Sequence, residues 1–430
     1  MRKNLLIYRK VLMLLMIFCS AQLGLAQETS LSLDVCHKEV QENYPLIKGK
    51  ELLRQSSQLN VENLKVDYLP KLHANGKLSY QSDVTGITIP GLEPPRAPKD
   101  QYALNVDVEQ LIYNAGRTKN RIKLEEMASE VEIQNLEVQM YQLREQVNNA
   151  YFSILLIRKS KSVLLEKQKT ILARLQQVRS AVKNGVILPA NQKILEAELL
   201  LIEQQIRELD ASEESAFVVL SELMGRKLNK DVQLQELQLD ETVLIQEDWE
   251  QKARPEYQWY TNRKLLLDEQ IQLTKKDRYP VVTGFGQMGY GNPGYNQLMD
   301  EFDTYYMVGA KVSWNIFDWK SARRKQKSFS LQKDLVETQE LSFETNQKIE
   351  LGNETNNINK YKILLEKDDA IIELQAEVSQ SSASQLDNGV ITSSDYLEDL
   401  NKEIQARLNR EFHFIQLQQS LAEYKRIKGI

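Results

Sequence analysis

Cysteine and histidine are nearly missing from this 430-residue chain, with two of the first and three of the second. Cys36 is the only cysteine beyond residue 26, so a chain trimmed there can form no intramolecular disulfide. Cys36 with His37, His73 and His413 also makes no His/Cys metal cluster by spacing. No cofactor is expected. Glycine and proline are scarce, at 17 and 10, and residues 117–184 contain neither. A composition rich in Leu, Glu, Gln and Lys then favours long helices. After the N-terminus no run of about 18 apolar residues occurs, which excludes a transmembrane helix. The net charge of -5 argues against nucleic acid. No paired-acid or Ser-His-Asp constellation repeats or clusters, so the chain does not read as an enzyme.

What is present begins with a targeting segment. Arg2, Lys3, Arg9 and Lys10 precede the apolar VLMLLMIF, and GLA ending at Ala26 offers small residues for cleavage. This is the pattern of a secretory signal peptide over residues 1–26. The segment has no acidic residue, so losing its four basic ones moves the net charge from -5 to -9. Phe18 precedes Cys19, where a lipoprotein signal needs a small residue, so lipidation is not expected.

The rest of the chain says one thing twice. Pro45 and Pro70 match Pro255 and Pro280 at an offset of 210, which holds through Asp67/Asp277, Gly76/Gly286 and Tyr80/Tyr290. The offset then becomes 204 and stays there through Tyr102/Tyr306, Ile112/Ile316, Gly185/Gly389 and Gly225/Gly429. A unit this long is a duplicated module and not a solenoid repeat, whose period is about 20–50 residues. The expected organisation is a first repeat over 27–226, an acidic connector over 227–247 and a second repeat over 248–430.

Each copy holds long helices. Leu136, Leu143, Ala150, Ile157, Leu164, Ile171 and Val178 recur every seven residues. Met140, Val147, Ile154, Leu175 and Val182 fill the intervening position, with Lys161 and Gln168 as exceptions. Such a seam signals a coiled coil, and a helix over this span is about 100 Å long. Asn184-Gly185-Val186 ends it, since Gly suits the left-handed cap. Pro189 opens a second helix to about Leu223. Copy two repeats the plan: a helix over about 320–387, Asn388-Gly389-Val390, then a helix from about Ser394 to Ile427 with Ser393 or Ser394 as N-cap. The positions paired with the first heptad series are Glu340, Gln347, Glu354, Tyr361, Asp368, Gln375 and Ser382. Leu351, Ile358, Leu365 and Ile372 supply an apolar seam there. Two readings of the polar series stay open: a rotated packing face, or a face turned to water, such as a channel lumen.

Each copy also holds two strands, over about 69–82 and 102–113, then 280–290 and 305–317. Leu72, Ala74, Gly76, Leu78 and Tyr80 alternate with Lys71, His73, Asn75, Lys77 and Ser79. The other three segments alternate likewise, which gives a sheet with one apolar and one polar face. Runs of about 10 residues with aromatics at their ends meet the requirement for membrane-spanning strands. Trp314 and Trp319 suit interfacial anchors. Four strands cannot close a barrel, whose smallest membrane forms have about eight, and open edges are not tolerated in lipid. Spanning strands therefore demand a barrel shared between copies of the chain.

In these features the chain resembles the TolC family of outer-membrane efflux and secretion ducts. The resemblance rests on the prolines before each first strand and on the strand ends VEQLIYNAGR and VSWNIFDWKSAR. The tips NGVILPANQKILEAEL and NGVITSSDYLEDL carry it too. It implies an α+β membrane protein of the outer membrane and periplasm: a homotrimer with a 12-stranded barrel continuing into a helical tube. It implies a periplasmic adaptor (membrane fusion) protein and an inner-membrane transporter as partners. Residues 227–247 would belong to the belt around the tube. Members ring their constriction with two acidic side chains three apart after the tip glycine, and the matching positions here are Asp395 and Glu398. Copy one has Asn191 and Ile194 there. Some members lock the closed tip with a Tyr and an Arg where this chain has Leu386 and Ile391, so an apolar closure by those two is the alternative. The tips Gly185, Val186, Ile187, Gly389, Val390 and Ile391 are the candidate adaptor contacts. GFGQMG at 284–289 matches a dinucleotide fingerprint in spacing only, because it lies within a strand pattern. The exported substrate, and the pump and adaptor served, are not legible.

Overall fold

The computed structural model describes residues 30–86, 90–91, 96–237 and 253–430. The expected signal peptide and residues 238–247 of the expected connector lie outside these. The described elements are β1 (Ser30–Leu31), α1 (Leu33–Asn43), α2 (Ile47–Lys65), β2 (Lys71–Tyr80), β3 (Asp100–Tyr113), α3 (Arg117–Lys183), α4 (Pro189–Met224), β4 (Gln233–Leu234), α5 (Pro255–Lys276), β5 (Val281–Asn292), β6 (Asp303–Ser313), α6 (Ser321–Asp387) and α7 (Ser393–Lys428). The limits of α3 and α6, and of α4 and α7, differ by 204 at both ends, so the duplication is a structural one. Among the described residues no helix is long and apolar enough to cross a membrane.

The compact units are not the repeats. One comprises Lys48–Val138 and Pro255–Glu344, the other Met1–Ile47, Gln139–Arg254 and Thr345–Ile430, so each draws on both copies. The first unit contains the sheet. Its order is β2-β3-β5-β6, antiparallel throughout, with a register shift between Leu111 and Tyr113. β6 ends at Ser313, short of the expected 317, because its partner β5 begins at Val281 opposite Ser313. Pro280, just before, has no N–H to extend the ladder.

The strand-to-helix turns match in the two copies. Ala115 and Gly116 have φ of 55° and 76°, and their counterparts Trp319 and Lys320 have 53° and 65°. Lys320 thus occupies a left-handed position that copy one gives to glycine. Asp318 supports the turn by accepting from the backbone N–H of Lys320 and Ala322 at 3.0 and 2.9 Å. The Ala322 bond is the main reason its carboxyl is held below the usual range. The left-handed conformation costs a non-glycine residue roughly 1–2 kcal/mol, against about 0.4–1 kcal/mol of added chain entropy for glycine. Lys320→Gly should therefore raise stability by ~0.5 kcal/mol, read as a higher urea midpoint with unchanged slope.

The second unit is a helical core. Val147, Tyr151, Phe152 and Ile154 of α3 are buried with Leu31, Cys36, Phe217, Leu220 and Ile415. The Tyr151 hydroxyl reaches the carbonyls of Leu31 and Gln235 at 2.8 and 2.7 Å, which ties down the short parallel pair β1–β4. Nearer the helix tips Leu164, Ile171, Leu195, Ile202, Tyr396 and Leu400 form another cluster.

The polar series of α6 resolves differently from either sequence expectation. In this unit it alternates with Leu351, Ile358, Leu365 and Ile372 in one seam, equivalent to that of α3. Gln347, Asp368 and Ser382 are buried and the members between them are half-buried, so the face is neither rotated nor turned to water. Each of the three buried groups finds a partner on α7. Gln347 Nε2 donates to the Ile427 carbonyl at 2.5 Å, Asp368 meets His413 Nδ1 at 2.6 Å, and Ser382 Oγ donates to Asp399 at 2.5 Å. Buried polar groups are tolerated only when paired in this way.

Candidate functional site at the sheet and the paired helix tips

The sheet buries the wrong face for a water-soluble domain. Leu104, Val308 and Tyr306 on its apolar face are 62%, 75% and 80% exposed, and Leu72, Leu78, Met288 and Val312 are exposed beside them. The polar face is the more covered one along β3, where Gln101, Ala103, Asn105 and Asp107 are half-buried. Asp107 accepts from Asn75 Nδ2 and Gln287 Nε2, both at 2.6 Å, across three strands. Aromatic side chains mark both ends of the apolar face. Phe302 lies 6.0 Å from Tyr102 and stacks 5.5 Å from Tyr290 at the loop end. At the helix end Trp314 donates to the Arg278 carbonyl at 3.0 Å, and Phe317 meets Trp319 edge-on at 4.8 Å. Among the described residues β2 pairs only with β3 and β6 only with β5, so both outer strands carry a free edge.

The tips lie in the second unit. Gly185 and Gly389 have φ of 72° and 69°, and a Cβ at either would meet nothing within 4 Å. The N–H groups of Val186 and Val390 close both turns on the carbonyls of Ala181 and Gln385 at 2.9 Å. Val186 and Val390 then stand 69% and 70% exposed, while Ile187 and Ile391 fold back onto the helical cluster. Leu386 is 3% exposed within that cluster and presents no surface. In the chain it packs among the other buried side chains of the cluster.

Asp395 takes part in a helix cap. The N-cap of α7 is Thr392, one residue before the expected serines, because Thr392 and Asp395 form a reciprocal capping box. Thr392 Oγ1 and N donate to Asp395 Oδ2 at 2.7 and 2.9 Å, and these bonds hold the Asp395 carboxyl below its usual range. Both bonds fall on one oxygen, and Asp395 and Glu398 are both exposed. Glu398 pairs with Lys402 at 2.8 Å, an exposed contact worth little by itself.

Sequence reasoning missed the residues that join the two tips. Arg174 of α3 forms an ion pair with Asp387, the last residue of α6, and lies 5.3 Å over the Tyr396 ring of α7. Burial works against the Arg174 charge, but the Asp387 hydrogen bond and charge outweigh it and its pKa is raised. Burial raises the Tyr396 pKa while Arg174 opposes this. Asn191 Oδ1 of α4 accepts from the Ser393 N–H of α7 at 2.7 Å. The signal was available in the copy comparison: Asp387 replaces Lys183, and Arg174 faces Val378 in the alignment.

The chain thus combines a duplicated set of long helices with a four-stranded sheet whose apolar face is exposed and whose outer edges are unpaired among the described residues. The model of the outer membrane efflux protein family matches residues 37–226. Three solved channels share the fold over 92% of this chain. CmeC of Campylobacter jejuni does so at 14% identity, over 85% of its length, with a TM-score of 0.67. VceC of Vibrio cholerae gives 12%, 96% and 0.67, and MtrE of Neisseria gonorrhoeae, in its open state, 15%, 89% and 0.66. No curated protein is significantly similar in sequence. The resemblance to TolC-family ducts therefore holds, and the fold is that of the outer-membrane efflux channels.

Proposed function

We propose that this chain is the outer-membrane duct of a tripartite efflux or type I secretion system. It works as a passive conduit and not as an enzyme. Three copies complete a 12-stranded barrel, and the helices continue it into the periplasm. The carrying observation is the exposed apolar sheet face bounded by two unpaired edges. Lipid covers the face, and neighbouring copies pair the edges that lipid would leave unsatisfied. At the tips, exposed Val186 and Val390 beside Gly185 and Gly389 are the surface offered to a periplasmic adaptor, which links the duct to an inner-membrane transporter. Asp395 and Glu398 supply six carboxylates per trimer to the constriction, where acidic rings attract and bind cations.

Protein extracted from outer membranes should run as a heat-modifiable trimer and conduct in planar bilayers. Protein that stays in solution without detergent and carries no current would instead be a periplasmic coiled-coil spacer. The ring is tested by Asp395→Asn with Glu398→Gln, which removes charge but keeps the capping oxygen at residue 395. Divalent-cation block should weaken about tenfold or more, and unchanged block would remove these residues from the constriction.

A further inference from the structure

The two hairpins of the sheet share one register. In the first, Lys71 pairs with Glu109 and Tyr80 with Asp100. In the second, their counterparts Val281 and Tyr290 pair with Ser313 and Thr304. The offsets of 210 for the first strands and 204 for the second strands therefore hold pair by pair. Within the chain the hairpins join through β3 and β5. The two edges left over belong to the counterparts of those strands: β6 corresponds to β3, and β2 to β5.

Both edge strands stop where such a partner is missing. β3 runs past Glu109, the last residue that β2 pairs, as far as Tyr113, because Gln110, Leu111 and Tyr113 pair with β5. β6 ends at Ser313, the counterpart of Glu109, and Trp314, Ile316 and Phe317 beyond it are exposed. At the loop end β5 runs to Asn292, opposite Tyr102 of β3. β2 ends at Tyr80, although the counterpart of Asn292 is Ser82. Each shortfall is the stretch that β3 and β5 supply to each other. The occupant that completes β6 is thus a strand equivalent to β5, and the one such strand with a free edge is β2 of a second copy.

We propose that β6 of one copy pairs antiparallel with β2 of the next in the register of β3 and β5. This rests on the duct reading and adds which residues meet. Opposite Val308, Ala310 and Val312 stand Tyr80, Leu78 and Gly76 of the next copy on the apolar face. Opposite Met307 and Lys311 stand its Gln81 and Lys77 on the polar face. Both faces match along the seam, which a slip of one residue would undo. β2 lengthens to Ser82 and β6 to Phe317, the limit that strand alternation predicts. The register also sets Lys311 against Lys77 at every seam, whereas within one chain Lys77 lies opposite Ala103 and Lys311 opposite Thr283. Directly opposed like charges weaken a strand pair, so the register carries a liability that can be measured.

The test is oxidative cross-linking of the full-length protein in isolated outer membranes, read as covalent oligomers after boiling in detergent. Opposed residues of an antiparallel pair have Cα atoms about 4.5–5.5 Å apart, within the reach of a disulfide. Residues displaced by two along the strand are about 7–8 Å apart and beyond that reach. Lys77→Cys with Lys311→Cys should give covalent dimers and trimers. Asn75→Cys or Ser79→Cys with Lys311→Cys should give monomers only, as should each single change; the native Cys36 is buried. The second measurement uses charge. Lys77→Glu should raise the temperature at which the trimer dissociates, because its carboxylate faces Lys311, and adding Lys311→Glu should return it to the wild-type value. Trimers of normal yield that cross-link through a displaced pair, or through none, overturn the register and leave the duct reading standing. So does a dissociation temperature that Lys77→Glu fails to raise. Membranes that hold no trimer of the unaltered chain overturn both.

Discussion

Val308→Arg is expected to abolish stable insertion, whereas Met307→Arg, one residue away, leaves it largely intact. The two side chains lie on opposite faces of β6: Val308 is opposite Gly286 on the apolar face, and Met307 is opposite Gln287 on the polar one. Val308 sits at the centre of the strand and is 75% exposed in the chain. An arginine at the midplane of a bilayer costs about 2–4 kcal/mol on the lipid face of a barrel and little on the lumen face. In a trimer the cost enters three times, which is comparable to the whole stability of an ordinary domain, roughly 5–15 kcal/mol. The measurement is the fraction of heat-modifiable trimer in isolated outer membranes for each variant. If the sheet faced water on both sides, the two arginines would behave alike, and equal trimer yields would rule out the membrane assignment. Val308→Leu serves as a control for side-chain size, because it changes volume without adding charge.

The sequence was most legible where period and punctuation agree. The glycine- and proline-free stretch before Asn184-Gly185 became α3 within a residue of the expected end, and the 204-residue offset carried that limit to α6. Strand alternation gave the sheet and its two faces for the same reason: a period of two cannot be mimicked by a helix. The polar positions of α6 were misread because periodicity reports which residues share a face but not what covers it. Gln347, Asp368 and Ser382 needed their partners Ile427, His413 and Asp399, which lie on α7 up to 80 residues away in the chain. The cap of α7 was missed by one residue for a local reason. Serine and threonine are nearly equivalent as caps, and the choice turned on Asp395 standing three residues after Thr392. The Arg174 contacts join segments more than 200 residues apart, and no local pattern encodes them.

Those contacts support the second large expectation, that Arg174→Ala shifts the tips toward an open state. The guanidinium is bound twice, by Asp387 and by the face of Tyr396, and its side chain is 15% exposed where that of Asp387 is 45%. A cation over an aromatic ring contributes about 0.5–2 kcal/mol, and a partly exposed ion pair up to about 1 kcal/mol. Together they amount to roughly 1–3 kcal/mol, and each 1.4 kcal/mol is a factor of ten. Removing Arg174 should therefore raise the ratio of open to closed channels by about 5- to 100-fold, measured as open probability in planar bilayers. Asp387→Asn should give the smaller part of that effect, since it leaves the ring contact in place. The charge swap Arg174→Asp with Asp387→Arg should recover the ion pair but not the ring contact, and so fall between wild type and Arg174→Ala. A swap no better than the single changes would mean that the two residues are not coupled. Asp387 ends its helix in an exposed position, so loss of folding is not a competing explanation for its variant. The difference between the Asp387 and Arg174 effects then isolates the part held by Tyr396, the one member of the trio that is buried in the helical core.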